Sequence, residues 1–237
     1  MGPIRAFLAV PLLALLSSGC IEPITPATQP SVASGPLPSV ERAPPEVAKV
    51  EPRTRPIAFD DLFLEAPDFP TMNQIQSPAE SRPDNGVFQC LGGAGGKQSA
   101  LSEWGDPDGR KALWRISDLR WVFDEVAGAQ AFHAKLAAFF GNKTFRVAPC
   151  DPVIGEECFR IEVGPERLVD RMPHTEIGFV FRVGPVVAEV EGGEGPRVAA
   201  ERIDDGMVLP YARRAEARVR AAAGAAGFGI GGGGGGS

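Results

Sequence analysis

The chain has 237 residues, a formal charge of −6, two histidines and four cysteines. That length allows one domain of ordinary size plus extensions, and the acidic balance argues against broad nucleic-acid binding, which needs a basic surface to release counterions from phosphates. The 29 glycines and 23 prolines are unevenly spread and mark the ends of the chain as unlike its middle.

Residues 1–19 read as a secretory signal peptide. Arg5 is their only charge, and Ala6 to Leu16 is a run of 11 apolar or small residues. A membrane-spanning helix needs about 20, and Pro11 would kink one. A short apolar run followed by small residues is instead the pattern of an export peptide. Ser17 and Gly19 also satisfy the small-x-small rule of the ordinary signal peptidase, and an uncleaved anchor is a further alternative.

Leu16-Ser17-Ser18-Gly19-Cys20 resembles the lipobox of bacterial lipoproteins, in which a cysteine after small residues is acylated before cleavage. Ser17 departs from that pattern, where an aliphatic residue is usual. The resemblance implies lipidation of Cys20, with palmitate-type chains. One acyl chain binds a bilayer only marginally, at about 0.8 kcal/mol per buried methylene; the two or three chains of this family imply stable anchoring. The membrane is then a partner, and the address is the cell envelope. Ile21 stands where the family's inner-membrane members carry Asp, which favours the outer membrane, facing the periplasm or the cell surface. The layout as a whole resembles lipoproteins of high-GC bacteria.

Residues 20–57 read as the lipidated cysteine and a Pro-rich disordered tether. Pro23, Pro26, Pro30, Pro36, Pro38, Pro44, Pro45, Pro52 and Pro56 lie there without an aromatic residue. Proline removes backbone donors and fixes φ, and little apolar surface is present to offset ordering entropy. Fully extended as polyproline, the tether would reach about 115 Å at roughly 3.1 Å per residue.

Residues 58–114 read as an irregular Gly/Pro-rich segment packing on the domain through Phe59, Phe63, Leu64 and Phe69. Gly92 to Lys97 invites a phosphate-loop reading, which fails because Leu91 stands where the first glycine is needed and Gln98 where Ser or Thr should hold magnesium. A flexible loop is expected there. Asp106-Pro107-Asp108-Gly109 is turn chemistry.

A regular domain is expected over 115–223. Leu119, Trp121 and Phe123 alternate as a strand. Ala129, Phe132, Leu136 and Phe140 recur with helical spacing over 127–141, ended by Gly141-Asn142. Alternation continues through Phe145 and Val147, through Phe159, Ile161 and Val163, and through Ile177, Phe179, Phe181 and Val183. Gly184-Pro185 makes a tight turn into a return strand with Val186, Ala188 and Val190, and Glu191 to Pro196 is a loop. Asp204 or Asp205 caps a last helix over about 207–223, with Pro210 in its first turn and an apolar stripe of Val208, Ala215, Val219 and Ala222. The fold class is α+β: an antiparallel sheet of about five strands with two helices on one face, a two-layer sandwich with one wet face. Residues 224–237 have nothing to pack against and are expected to be disordered.

With Cys20 acylated, Cys90, Cys150 and Cys158 remain. Exported compartments favour disulfides. Cys150 and Cys158 bracket a short loop between two predicted strands, and that pairing would contribute about 2.6 kcal/mol in the chain-entropy model. Cys90 paired with either of them, or no disulfide, are the alternatives. No CxxC is present, so neither a zinc site nor another metal or cofactor is expected.

No catalytic residues are expected. His133 on a helix flank and His174 in a loop hold no fixed spacing to a nucleophile or carboxylate, and the motifs G-x-S-x-G, H-E-x-x-H and S-x-x-K are absent. Asp60-Asp61 and Glu156-Glu157 are adjacent pairs expected in solvated loops. Arg120, Arg146, Arg160 and Arg182 all fall on the non-core phase of four predicted strands, with Glu162 and Glu189 among them. They are either a solvated face with weak cross-strand pairs or a binding face for an anionic group, since arginine presents a planar donor fork. The expected function is a lipid-anchored envelope protein with a non-catalytic domain that binds a protein partner or ligand. An envelope enzyme with dispersed carboxylates and a structural accessory subunit of an envelope complex are the alternatives.

Overall fold

The computed structural model describes residues 55–78, 96–108, 111–141, 145–164, 168–169, 172–173, 175–194 and 202–229. Cys20, Cys90, His174, the signal peptide and nearly all of the tether lie outside the described residues.

Seven strands form one antiparallel sheet: β1 (Asn73–Gln76), β2 (Gly96–Gly105), β3 (Leu113–Phe123), β4 (Phe145–Pro149), β5 (Glu157–Val163), β8 (Glu176–Val183) and β9 (Val186–Glu194), in the order β1-β2-β3-β9-β8-β5-β4. β6 (Leu168–Val169) and β7 (Met172–Pro173) make a separate small hairpin. Helix α1 (Val126–Gly141) follows β3, and helix α2 (Asp205–Ala225) follows β9. Leaving the small hairpin aside, strand, helix, four strands and helix occur in the expected order from β3 onward. The count rises from five to seven because β1 and β2 come from the segment expected to be irregular. Gly96 and Lys97, expected in a flexible loop, begin β2, which pairs with β3 along most of its length.

The two helices cover opposite faces, which corrects the two-layer arrangement to three layers. Ala129, Phe132, Leu136 and Phe140 of α1 pack on Leu119, Trp121, Phe123, Phe159, Ile161, Val163, Val180 and Val187. Val208, Ala212, Ala215 and Val219 of α2 pack on the other side, on Ile116, Phe179, Phe181, Val186, Ala188 and Val190. The physical reason lies in the central strands. All of β8 is buried, as is nearly all of β9, and their apolar residues include Val180 and Val187 between those of the expected core phase. A strand apolar on both phases demands a cover on both faces.

Turn chemistry fixes the register. Val183 pairs with Val186 across the two-residue turn Gly184-Pro185, and Gly184 carries a φ of 54°, the left-handed conformation that tight hairpins need and glycine supplies. Gly192 serves close approach instead. A Cβ there would stand 2.5 Å from Val208 Cγ2 and 2.8 Å from Leu113 Cδ1, so its bare backbone lets α2 sit down on the sheet. The β9 strand therefore runs through residues expected to be a loop.

Asp204 caps α2, its Oδ1 accepting from the Met207 backbone N–H at 3.1 Å. Since the helix starts at Asp205, Pro210 lies in its second turn rather than its first. The helix closes with Gly227 at φ 87°, with Phe228 N–H donating to the Ala223 carbonyl at 3.1 Å and Gly227 N–H to the Gly224 carbonyl at 3.0 Å. This is the Schellman arrangement, so 224–229 is ordered by its own backbone bonds, against the expected disorder; 230–237 lies outside the described residues. Arg55 N–H donates to the Ala226 carbonyl at 2.9 Å, placing the end of the tether beside the end of α2.

Cys150 and Cys158 form a disulfide, with Cα atoms 5.6 Å apart. The pairing of Pro149 with Phe159 brings them together across the β4–β5 connection.

Candidate functional site

The four arginines do not form one open face. Arg120 is fully buried on the α2 side. It forms an ion pair with Asp118 and donates to the Leu62 carbonyl at 3.2 Å and the Leu119 carbonyl at 2.8 Å, with its guanidinium over the Phe63 ring. Arg160 is held by Asp205 at 2.6 Å and Glu162 at 2.8 Å. Arg146 alone is well exposed, 3.7 Å from Glu162. Arg182 projects to the opposite face: it pairs in register with Glu157 of β5 and is bound by the Glu156 and Glu157 carboxylates and the Gly184 carbonyl. Its strand is apolar on both phases, so its outward phase could not be read from alternation. The expected solvated pair Glu156-Glu157 is therefore an arginine clamp, whereas Asp60 and Asp61 are exposed as expected.

Beside Arg160 an open groove of about 500 Å³ is lined by Glu162, Thr175, Arg202, Asp204 and Asp205 among others. Its acids and bases largely answer one another. His133 is buried. Its Nε2 lies 3.3 Å from the Val180 carbonyl and its Nδ1 3.5 Å from Glu157. Burial holds its pKa below the ordinary histidine value, against the pull of the Val180 carbonyl and Glu157.

The unusual chemistry lies on the α1 side of the sheet, beyond the end of the apolar core. Glu103 of β2, Arg115 and Ser117 of β3, Glu176 of β8, and Glu189 and Glu191 of β9 are all buried there. Strand register makes them neighbours: Glu103 pairs with Ser117, Ser117 with Glu191, and Arg115 and Glu176 both pair with Gly193. Arg115 Nη2 donates to Glu176 Oε1 at 3.1 Å and stands 3.8 Å from Glu191 Oε1, while Nη1 lies 3.7 Å from Glu103 Oε1. Ser117 Oγ donates to Glu103 Oε1 at 3.3 Å.

Glu189 is 0% exposed, and neither of its oxygens has a hydrogen-bond partner; nor has Glu191 Oε1. Between two bare carboxylates no donor exists, so only a proton held on one could bridge Glu189 and Glu191. Burial pushes the Glu189 carboxyl up to about 8, with the neighbouring Glu176 charge adding to the rise. Burial, then Glu176 and Glu189, push Glu191 well above the carboxylate range despite Arg115. Burial also raises Glu103, opposed by Arg115 and Ser117. Buried carboxylates of this kind are expensive and are normally paired.

Sequence reasoning missed this cluster and noted Glu189 only as a neighbour of the arginines. The available signal was Glu189 and Glu191 inside Val-Val-Ala-Glu-Val-Glu, a strand otherwise apolar on both phases. Among the described residues no group of three His, Cys, Asp or Glu converges as a metal site, and no helix is long and apolar enough to cross a membrane.

No protein-family model matches the chain, and no curated protein matches it. Among solved structures, the extracellular domain of PknH from Mycobacterium tuberculosis is similar at 13% identity and a TM-score of 0.42, over 68% of this chain and 91% of that one.

Proposed function

We propose that the chain is a lipid-anchored protein of the cell envelope, fixed through Cys20, whose three-layer domain is a non-catalytic module that binds a ligand at the buried carboxylate cluster. The observation that carries the binding role is Glu189: a fully buried carboxyl with both oxygens unpartnered. Such a group opposes folding, and a carboxyl with both oxygens unpartnered reads as a site kept for another purpose. The Cys150–Cys158 disulfide supports an oxidising compartment, and the export segment with the Cys20 lipobox supplies the anchor.

Two measurements test this. Mass analysis of the mature amino terminus is expected to give an acylated Cys20; an unmodified thiol there refutes the anchor. Glu189→Leu is expected to stabilise the domain in urea denaturation by about 1–3 kcal/mol, the cost of an unpartnered buried polar group. Destabilisation would make the cluster structural and remove the binding role.

A further inference from the structure

We propose that the Glu189–Glu191 end of the cluster is a binding site for an organic cation, an ammonium or guanidinium group. This rests on the reading of the cluster as a binding site and adds its ligand class. Two observations converge. Arg115 already shows what the site holds: one guanidinium spans Glu103, Glu176 and Glu191 at 3.1–3.8 Å. Beyond its reach, both Glu189 oxygens are left as acceptors with nothing donating to them, and Glu191 Oε1 has only the Arg115 charge at 3.8 Å and no hydrogen bond. Acceptors without donors are completed by a group that carries only donors, and ammonium and guanidinium are such groups.

Geometry favours an organic cation over a metal ion. Glu189 and Glu191 are alternate residues of one strand, so their Cα atoms stand roughly 6–7 Å apart. A bare ion needs several oxygens within about 2.6 Å, and the described residues hold no such convergence. A forked donor satisfies two adjacent carboxylates at ordinary hydrogen-bond lengths. Position also suits a ligand. The apolar packing under α1 ends at Leu119, Val180 and Val187; Glu189 follows in mid-strand, and the cluster runs from it to the strand ends at Glu103 of β2 and Glu176 of β8. Glu189 pairs in register with Leu119 of β3 and Val180 of β8; Glu176 of β8 and Glu191 of its own strand act on it, Arg115 and Glu103 lie further along the cluster, and His133 of α1 reaches the Val180 carbonyl beside it.

Burial and the neighbouring Glu176 charge favour the neutral acids of Glu189 and Glu191. Cation uptake then releases protons to solvent, so affinity rises with pH.

The test uses the mature chain in detergent micelles, titrated calorimetrically with agmatine, which carries one ammonium and one guanidinium group, at constant ionic strength. Butane-1,4-diol serves as the uncharged control and calcium chloride as the metal arm. Agmatine is expected to bind, more tightly at about pH 9 than at about pH 6, and Glu189→Gln is expected to weaken it about tenfold or more while circular dichroism shows the fold intact. The double variant Glu189→Gln with Glu191→Gln should abolish it. Absence of agmatine binding at both pH values, unchanged affinity in Glu189→Gln, or binding of calcium in its place overturns the proposal. If agmatine fails while Glu189→Leu stabilises the domain, the binding module survives and the cation is wrong; if Glu189→Leu destabilises it, both fall.

Discussion

The sheet carries a buried charged group on each face, and the two differ in kind. On the α2 face Asp118 and Arg120 balance one another. Asp118 Oδ2 accepts from Leu64 N–H at 2.9 Å, and Arg120 donates to the Leu62 and Leu119 carbonyls. Burial pushes Asp118 up to about 6, against the pull of Arg120, and lowers Arg120 from its ordinary value, so the pair is costly to bury. It nevertheless returns structure, because it fastens the segment 62–64 to the sheet, where Leu62, Phe63 and Leu64 join the core. On the α1 face Glu189 fastens nothing. A buried pair that organises backbone is a structural device, whereas a buried carboxyl without a donor organises none.

The largest expected effect breaks the structural cluster. Arg120→Met removes one partner and leaves Asp118 buried alone, which is expected to cost about 3–5 kcal/mol in urea denaturation. Replacing both, as Asp118→Leu with Arg120→Met, should recover much of that loss. A single variant as stable as the parent would erase the distinction between the faces. Next comes a change that should leave both clusters alone: Cys150→Ala with Cys158→Ala is expected to cost about 2.6 kcal/mol, with agmatine binding unaltered. The smallest is Ser117→Ala, which removes the hydroxyl donor to Glu103 and is expected to cost about 1 kcal/mol. An effect as large as that of Arg120→Met would mean that the α1-face cluster organises the fold as well.

Legibility in the sequence followed the same division. Helix α1 could be read because Ala129, Phe132, Leu136 and Phe140 repeat at one angular period, and all four are buried. The Gly184-Pro185 hairpin, the Asp204 cap and the Cys150–Cys158 pair were legible because each depends on a few adjacent residues. Strand β2 was not. Its Gly-Lys-Gln-Ser-Ala-Leu-Ser-Glu-Trp-Gly run offers weak alternation, and pairing with β3, a long-range interaction, makes it a strand. Alternation cannot tell the faces of β8 apart, because it is apolar on both phases, so it groups Arg182 with Arg120, Arg146 and Arg160 although Arg182 projects to the other side. The carboxylate cluster was invisible for a related reason. Glu103, Arg115, Glu176, Glu189 and Glu191 come from four strands, and only register unites them.

Glu189 is a buried acid without a donor, and proton linkage reads that property out. Burial raises its pKa in the folded state to about 8, from the ordinary glutamate value of 4.5. The folded protein therefore binds more protons than the unfolded chain between those values, and stability from this group falls as pH rises through that window. Unfolding free energies of the parent and Glu189→Gln, measured side by side from about pH 5 to about pH 9, should be similar at the acid end and diverge in favour of the glutamine variant toward the alkaline end. A gap that stays constant with pH, or that widens in favour of the parent at alkaline pH, would contradict the account.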